Sequence, residues 1–358
     1  MAVNHPFRMP PNAQVTAFLD FCKYARQRFQ SSSFSGFIAV YLTKGIQVPL
    51  HLIATGSTVR RLDVPGANRP EVLYLRGMKD SQAIRARIKR GQRAVVIGAG
   101  FIGMEVSSVL ASHGVHTTMV FPDDRVWQQL FPLPVSTFFE RQFAGHGITL
   151  MKSEKVVALT QKNHECQVVL ASGNQVPTDF VVAGIGVIPS MELFHRTPLN
   201  ADGGIKVNEF LETIIPGVWA AGDVTNYPDQ VFHRRMRVEH WDNAVEQGRV
   251  AIRNMMGKLQ PFIHVPYVFS DAFDLSYEFW GDAGGHDQVV YRGNMDQKQI
   301  GVWWLKRQRL CAALIMNRPE EERTVAPRWI LRRPRLDPKA LRNVRHLKSL
   351  DTTFGCHD

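Results

Sequence analysis

Long apolar runs are missing from this 358-residue sequence. Nothing in it approaches the roughly 20 consecutive apolar residues that a membrane span needs, and the opening MAVNHPFRMPPNAQ has no apolar core of the kind that marks a secretory signal. A cytoplasmic protein without a membrane partner is the expectation. Cysteine is scarce as well: Cys22, Cys166, Cys311 and Cys356 stand far apart with no CxxC pair, which argues against a redox dithiol and against a zinc site. Four ordinary thiols and no metal are expected. Acidic residues fall short of basic ones, 32 against 43, leaving a net charge of +11. Nucleic acid, an acidic protein or an anionic cofactor would each suit that surplus. It gathers late, where Arg332, Arg333, Arg335, Lys339, Arg342 and Arg345 face Asp337 alone. No aromatic stacking platform accompanies these charges, so 328–358 reads as a solvated basic tail and nucleic acid as the less favoured partner.

What is present is ordinary for a folded protein, with 44% apolar and 21% charged residues. The chain exceeds the roughly 250 to 300 residues at which single cores stop growing, so two or three domains are expected. Val15 to Phe29 could form a helix, and Gly36–Leu42 with Val48–Ala54 reads as a hairpin. Asp80 to Lys89 reads as a helix capped at Asp80 or Ser81. Short β-prone runs then recur at 148–151, 156–159, 167–170 and 180–183, with a helix over 134–143 among them. A run at 217–221, a helix over 243–256 and a tryptophan-bearing β-rich stretch from Tyr267 to Met316 complete the ordered part. No internal repeat is visible.

Residues Arg93 to Phe121 carry the sharpest signal, a strand, turn, helix and strand. Arg93-Ala-Val-Val-Ile97 is short, unbroken and β-branched, as expected of a parallel strand covered on both faces. Gly98-Ala-Gly100-Phe101-Ile102-Gly103 follows directly and opens a helix that ends at Gly114. In that context GxGxxG is a dinucleotide fingerprint: Gly98 permits the tight turn, Gly100 admits a pyrophosphate to the backbone, and Gly103 lets helix and strand pack closely. The helix N-terminus adds N–H groups and a positive dipole end for phosphate. One position departs from the pattern, since Phe121 stands where an acidic residue should accept from the ribose 2′-hydroxyl. Asp123 or Asp124 could take that contact, Arg125 could favour a 2′-phosphate, or all three could serve the next turn; NADH and NADPH both stay open.

Three further segments, Ala54-Thr-Gly56, VVAGIGVIPS at 181–190 and GVWAAGDV at 217–224, stand beside VVIGAGFIGMEV at 95–106 of this stretch. Together they resemble the ferredoxin and rubredoxin reductases of the pyridine nucleotide-disulfide oxidoreductase superfamily. RVEHWDNAVEQGRVA and the later PYVFSDAFDL at 266–275 draw the resemblance toward the branch that includes apoptosis-inducing-factor-like proteins. The resemblance runs from about Gly45 to about Met316. It implies an α/β fold of two Rossmann-like domains, the first incomplete, and a small α+β C-terminal domain. The corresponding division is a discontinuous FAD-binding domain at 1–92 and 207–258, an NAD(P)H-binding domain at 93–206, a C-terminal reductase and dimerisation-like domain at 259–327, and the tail. It further implies that Thr55 and Gly56 lie beside FAD, and that Gly222 and Asp223 hold its ribityl or phosphate part. Glu239, His240 and Trp241 would sit by the flavin ring, which Phe269 would cover. Glu105, Gly186 and Pro189 would lie at the nicotinamide end, although Glu105 could equally be a solvated face residue.

The family's first glycine fingerprint, which grips the ADP part of FAD, has no counterpart before Leu52. A truncated or frame-disrupted start is the expected cause, with weakened FAD affinity as its consequence, and the sequence after about Arg318 is expected to diverge as well. The activity implied by resemblance is transfer of electrons from NAD(P)H through FAD to an iron-sulfur protein such as a ferredoxin or rubredoxin, with a homodimer as an admissible assembly. The alternatives are a redox-linked binding protein similar to apoptosis-inducing factor, and a product that binds nicotinamide without turnover.

Overall fold

The computed structural model describes residues 50–194, 199, 203–343, 347 and 350. The expected helix from Val15 to Phe29, the first arm of the hairpin, Cys22, Cys356 and Arg345 lie outside them. The chain divides into two compact units, one of residues 1–57 with 189–267 and the other of 58–188 with 268–358. These compact units are cut at 57/58 and 188/189, a different kind of division from the cofactor-binding domains with expected boundaries at 92 and 206. Strand pairing follows the compact units: Val72–Tyr74 lies parallel to Phe180–Ala183 as an edge of the sheet that contains Arg93–Ile97, while Ile205–Lys206 pairs with Thr225–Asp229.

In the unit of 58–188 and 268–358, five parallel strands run in the order Val72–Tyr74, Phe180–Ala183, Arg93–Ile97, His116–Val120, Thr149–Met151. Ala94 to Ile97 and Phe180 to Ala183 are buried throughout, as strands covered on both faces must be. Helix Phe101–Ser112 connects the third strand of this order to the fourth. It stops before His113 and Gly114, whose φ of +76° a side chain would resist. The first helix among the described residues spans Met78–Arg87 with Gly77 as its N-cap. Asp80 is thus not the cap; it lies one turn inside and its Oδ2 accepts from the N–H groups of Arg76 and Gly77 at 3.0 and 2.9 Å. Helix Leu133–Gly145 and an antiparallel trio, Val156–Lys162, Glu165–Leu170 and Gln175–Thr178, complete this portion.

The same unit holds a second five-stranded sheet, in the order Tyr267–Ala272, Leu275–Gly281, Arg309–Met316, Gln299–Lys306, Gln288–Asn294. Trp303, Trp304 and Trp329 are fully buried around it. An aromatic chain links the two portions: Trp127 meets Phe101 at 5.5 Å, Phe139 at 4.8 Å and Tyr277 at 5.8 Å between ring centroids. The solvated tail expected from Arg328 is corrected through residue 343. Glu320–Arg332 and Pro338–Asn343 are helices, and Trp329, Ile330, Leu336 and Leu341 are buried at 1% exposure or less. These apolar residues anchor the segment from between its cations, which a count of charge overlooks. Glu322, itself buried, pairs with Arg318 at 2.5 Å and Arg292 at 3.3 Å.

In the unit of 1–57 and 189–267, His51–Ile53 pairs in parallel with Val218–Ala220. The second arm of the expected hairpin is thus shorter than read, and its described partner comes from far along the chain. Thr225–Asp229 lies between Ile205–Lys206 and Arg234–Met236, and helix Trp241–Met255 packs Val250 and Ala251 into a core with Leu52, Ile53, Trp219, Ala220 and Tyr227.

Candidate nucleotide sites

The glycine loop fulfils three separate geometric demands. Gly98 has φ +106°, and a Cβ there would lie 2.4 Å from the Gly184 carbonyl oxygen. A Cβ on Gly103 would come within 2.2 Å of the Gly98 carbonyl oxygen. At Gly100 a Cβ would meet nothing within 4 Å. The first and third glycines are therefore required by the protein's own packing, while the second faces open space at the N-cap of helix Phe101–Ser112. The first helical bond runs from Met104 N–H to Gly100 O at 3.0 Å, so the N–H groups before Met104 lie outside the helical ladder, where an anion is favoured. This cradle fits a dinucleotide pyrophosphate. Ile102 is 37% exposed beside it, whereas Phe101 turns to Trp127 and belongs to packing as much as to the loop. Gly184, absent from the expected set, supplies the wall against which Gly98 closes; its signal is the GIG that ends the 180–183 strand.

At the ribose end the strand stops at Val120, one residue earlier than expected. Phe121 is 1% exposed, its N–H donates to Met151 O at 3.1 Å and its carbonyl accepts from Glu154 N–H at 3.0 Å. It offers no side-chain acceptor. Asp123 and Asp124 are exposed just beyond it. The Arg125 guanidinium donates to Gln128 O at 3.0 Å, and Asp124 N–H donates to Gln128 Oε1 at 3.2 Å.

Glu105 lies one turn into the same helix, partly buried rather than on a solvated face. Its Oε1 accepts from Ser270 Oγ at 2.5 Å, and Ser270 Oγ accepts from Tyr277 Oη at 3.0 Å. Burial pushes the Glu105 carboxyl above its ordinary value and Asp271 acts in the same direction, with the Ser270 bond opposing. Phe269, adjacent to Ser270, is 48% exposed. Gly186 has φ +95°, open space where a Cβ would be, and a carbonyl that accepts from Arg60 N–H at 2.9 Å.

In the other unit Thr55, Gly56, Gly222 and Asp223 come together. Thr55 Oγ1 donates to Ser190 O at 3.0 Å, and Ser190 N–H donates to Gly56 O at 2.9 Å, directly after Pro189. Ser57 Oγ donates to Asp223 Oδ2 at 2.6 Å. Gly222, at φ +83°, donates its N–H to Gln247 Oε1 at 2.8 Å. His240 caps helix Trp241–Met255, its Nδ1 accepting from Asp242 N–H at 3.3 Å, while Trp241 is 69% exposed. Glu239 pairs with Arg237. Burial lowers the His240 pKa against the opposing pull of Asp242 and Asp223, and His264 adds to the lowering. Asn243 Oδ1 and Gln247 Nε2, in the first two turns of that helix, are buried polar atoms with no partner among the described residues. Buried polar atoms normally have partners, so these two, with Gln247 holding the N–H of Gly222 next to Asp223, fit the polar hydroxyl-bearing part of a flavin nucleotide. Ser57 and Gln247 were not in the expected set; Ser57 adjoins Thr55-Gly56, but nothing about Gln247 in the sequence points to Gly222.

A mixed α/β fold with a glycine-loop parallel sheet and a separate C-terminal sheet defines a nucleotide-binding reductase class. Residues 43–248 match the family model described as pyridine nucleotide-disulphide oxidoreductase, and 267–350 match the reductase C-terminal model. The chain belongs to the pyridine nucleotide-disulphide oxidoreductase family, in its ferredoxin reductase branch. The C-terminal match also corrects the expectation that the chain diverges after Arg318. Monodehydroascorbate reductase of Pisum sativum is 33% identical over 292 residues, covering 77% of this chain and 67% of the relative. Putidaredoxin reductase of Pseudomonas putida is 31% identical over 276 residues, covering 75% and 65%. The solved covalent putidaredoxin reductase–putidaredoxin complex superposes with a TM-score of 0.82 at 29% identity, covering 86% of this chain and 75% of that one. The ferredoxin reductase for the CYP199A2 system from Rhodopseudomonas palustris gives 0.79 at 31%, covering 84% and 75%. The chain thus spans about two thirds of the length of the curated relatives it matches. The family is FAD-dependent and uses NAD(P)H. Among the described residues no helix is long and apolar enough to cross a membrane.

Proposed function

We propose that this chain is a flavin-dependent NAD(P)H oxidoreductase that delivers electrons to an iron-sulfur protein. The observation that carries the reading is the division of labour in the glycine loop, with Gly98 and Gly103 closed by backbone and Gly100 left open. In this reading the loop and the start of helix Phe101–Ser112 hold the pyrophosphate of the nicotinamide coenzyme. Thr55, Asp223 and the start of helix Trp241–Met255 hold the flavin end of FAD, with Glu239, His240 and Trp241 toward its ring. Bound FAD supplies hydride acceptance and release of single electrons; the protein binds, orients and excludes water. NADH is the favoured coenzyme. The exposed Asp123 and Asp124 would repel a 2′-phosphate, and Arg125 is committed to the Gln128 carbonyl.

The putidaredoxin reductase relative and the solved complex with its partner support an iron-sulfur acceptor, and the surplus of 43 basic over 32 acidic residues suits an acidic one. Similarity to monodehydroascorbate reductases favours a second reading, in which a small organic radical takes the electrons. Both readings are tested by visible spectroscopy of the full chain with added FAD under anaerobic conditions. A flavin spectrum that bleaches with NADH and recovers on adding a ferredoxin is the expected result. Recovery only with monodehydroascorbate selects the second reading, and a protein that neither takes up FAD nor bleaches overturns both.

A further inference from the structure

We propose that Ser270 and Tyr277 are positioning residues that hold the Glu105 carboxylate for a dinucleotide bound on the Gly98–Gly103 loop; this rests on the reading of that loop given above. Glu105 lies 165 residues from Ser270, and Tyr277 only 7 beyond it, yet the three form an unbroken hydrogen-bond line, Tyr277 Oη to Ser270 Oγ at 3.0 Å and Ser270 Oγ to Glu105 Oε1 at 2.5 Å. Ser270 is 2% exposed and Tyr277 1%, so neither group can turn to solvent. With Tyr277 donating to Ser270, the serine proton is left for Glu105, and both protons of the line point toward the carboxylate. Glu105 Oε1 is the acceptor at the end of the line, and a hydrogen bond donated to it favours the ionised carboxyl over the neutral one.

A second feature ties the line to the loop. Tyr277 packs edge-on against Trp127, which packs against Phe101, the residue that follows Gly100 in the fingerprint. The C-terminal sheet therefore reaches the glycine helix by two routes, one polar through Glu105 and one aromatic through Phe101. The chemical use of a fixed carboxylate there is plain. A reduced nicotinamide ring is neutral and an oxidised one is cationic, so an anion held in partly buried surroundings favours the oxidised form, and with it the loss of hydride. Asp271 is the other charged group that acts on Glu105, and Tyr277 is held as a neutral phenol by burial.

The test is equilibrium binding of NAD⁺ and of NADH to the full chain, by calorimetry, as a function of pH. The ratio of the two affinities reads the charge on Glu105, because the coenzymes differ in ring charge. In Glu105→Gln the preference for NAD⁺ should fall about tenfold and lose its pH dependence, a change of about 1.4 kcal/mol. Ser270→Ala removes a bond that favours the ionised carboxyl, so the midpoint of the pH dependence should rise by about one unit; Ser270→Thr should restore it, and Tyr277→Phe should shift it the same way by less. Thermal melts of each variant run alongside. A merely structural role would lower the melting temperature and leave the midpoint in place, and that result overturns the proposal, as does an unchanged ratio in Glu105→Gln. Should the unaltered chain bind neither coenzyme, the loop reading itself falls and takes this inference with it.

Discussion

The two nucleotide sites of the proposed reading are built in opposite ways. On the nicotinamide side the pyrophosphate loop lies within one stretch, a buried strand, three glycines with distinct clearances and a helix between Arg93 and Ser112, with Gly184 from a neighbouring strand end as the wall behind Gly98. On the flavin side the groups come from three distant segments, since Ser57 holds Asp223 and Gly222 is held by Gln247. A local motif is a property of a dozen residues and their φ angles, and survives in any chain that keeps them. A dispersed site exists only once strands His51–Ile53 and Val218–Ala220 have paired and helix Trp241–Met255 has docked. The two should therefore fail differently.

The largest effect is expected at Gly103. An alanine there places its Cβ 2.2 Å from backbone that cannot move away cheaply, so Gly103→Ala should destabilise the unit by about 3 kcal/mol and abolish coenzyme binding, as read by urea denaturation and calorimetry. Gly100→Ala sharpens the contrast. Gly100 has φ −80°, which any residue adopts, and open space around the added carbon; stability should change by less than about 1 kcal/mol while NADH affinity drops roughly tenfold. Unchanged affinity in Gly100→Ala would break the assignment of the loop.

On the dispersed side, Asp223→Ala should lower FAD retention by roughly ten- to a hundredfold, with NADH affinity unaltered, and Ser57→Ala should lower it by less because only the partner of Asp223 is lost. Absorbance of the flavin after gel filtration reads both. If NADH affinity falls in step with FAD, the two sites are one cooperative structure and the comparison fails. A smaller effect belongs to the ribose end: Asp123→Ser with Asp124→Ser should raise the ratio of NADPH to NADH affinity about fivefold, since the exposed carboxylates are the groups a 2′-phosphate would meet.

How much of this could be read from the residues follows the same divide. The glycine loop, the buried strand before it and the helix after it were legible because turn, period and backbone clearance are local properties. The resemblance pointed to Thr55, Gly56 and Asp223, but no spacing rule could have joined Ser57 to Asp223 across 166 positions, or Ser270 to Glu105 across 165. The C-terminal segment was misread for another reason. Its arginines dominate any tally of charge, whereas its fate is decided by Trp329, Ile330, Leu336 and Leu341, which bury against the sheet. Charge describes the surface of a helix and says little about what lies under it.

The smallest effect, and the one that separates packing from chemistry at the flavin side, is the pH dependence that His240 brings. Burial lowers its pKa below the ordinary value of 6.5, so the folded chain prefers the neutral ring. As pH falls through 6.5 the unfolded chain takes up a proton that the folded one does not, and stability is lost until the lowered folded value is passed; above 6.5 the contribution is fully present. His240→Asn keeps an oxygen able to accept from Asp242 N–H at the helix N-cap and removes the titration. The urea midpoint of the variant should therefore match the unaltered chain near neutrality and fall less steeply on acidification. An equally steep fall in both would assign the acid sensitivity elsewhere, and would leave His240 as a helix cap whose ring serves only to accept that one hydrogen bond.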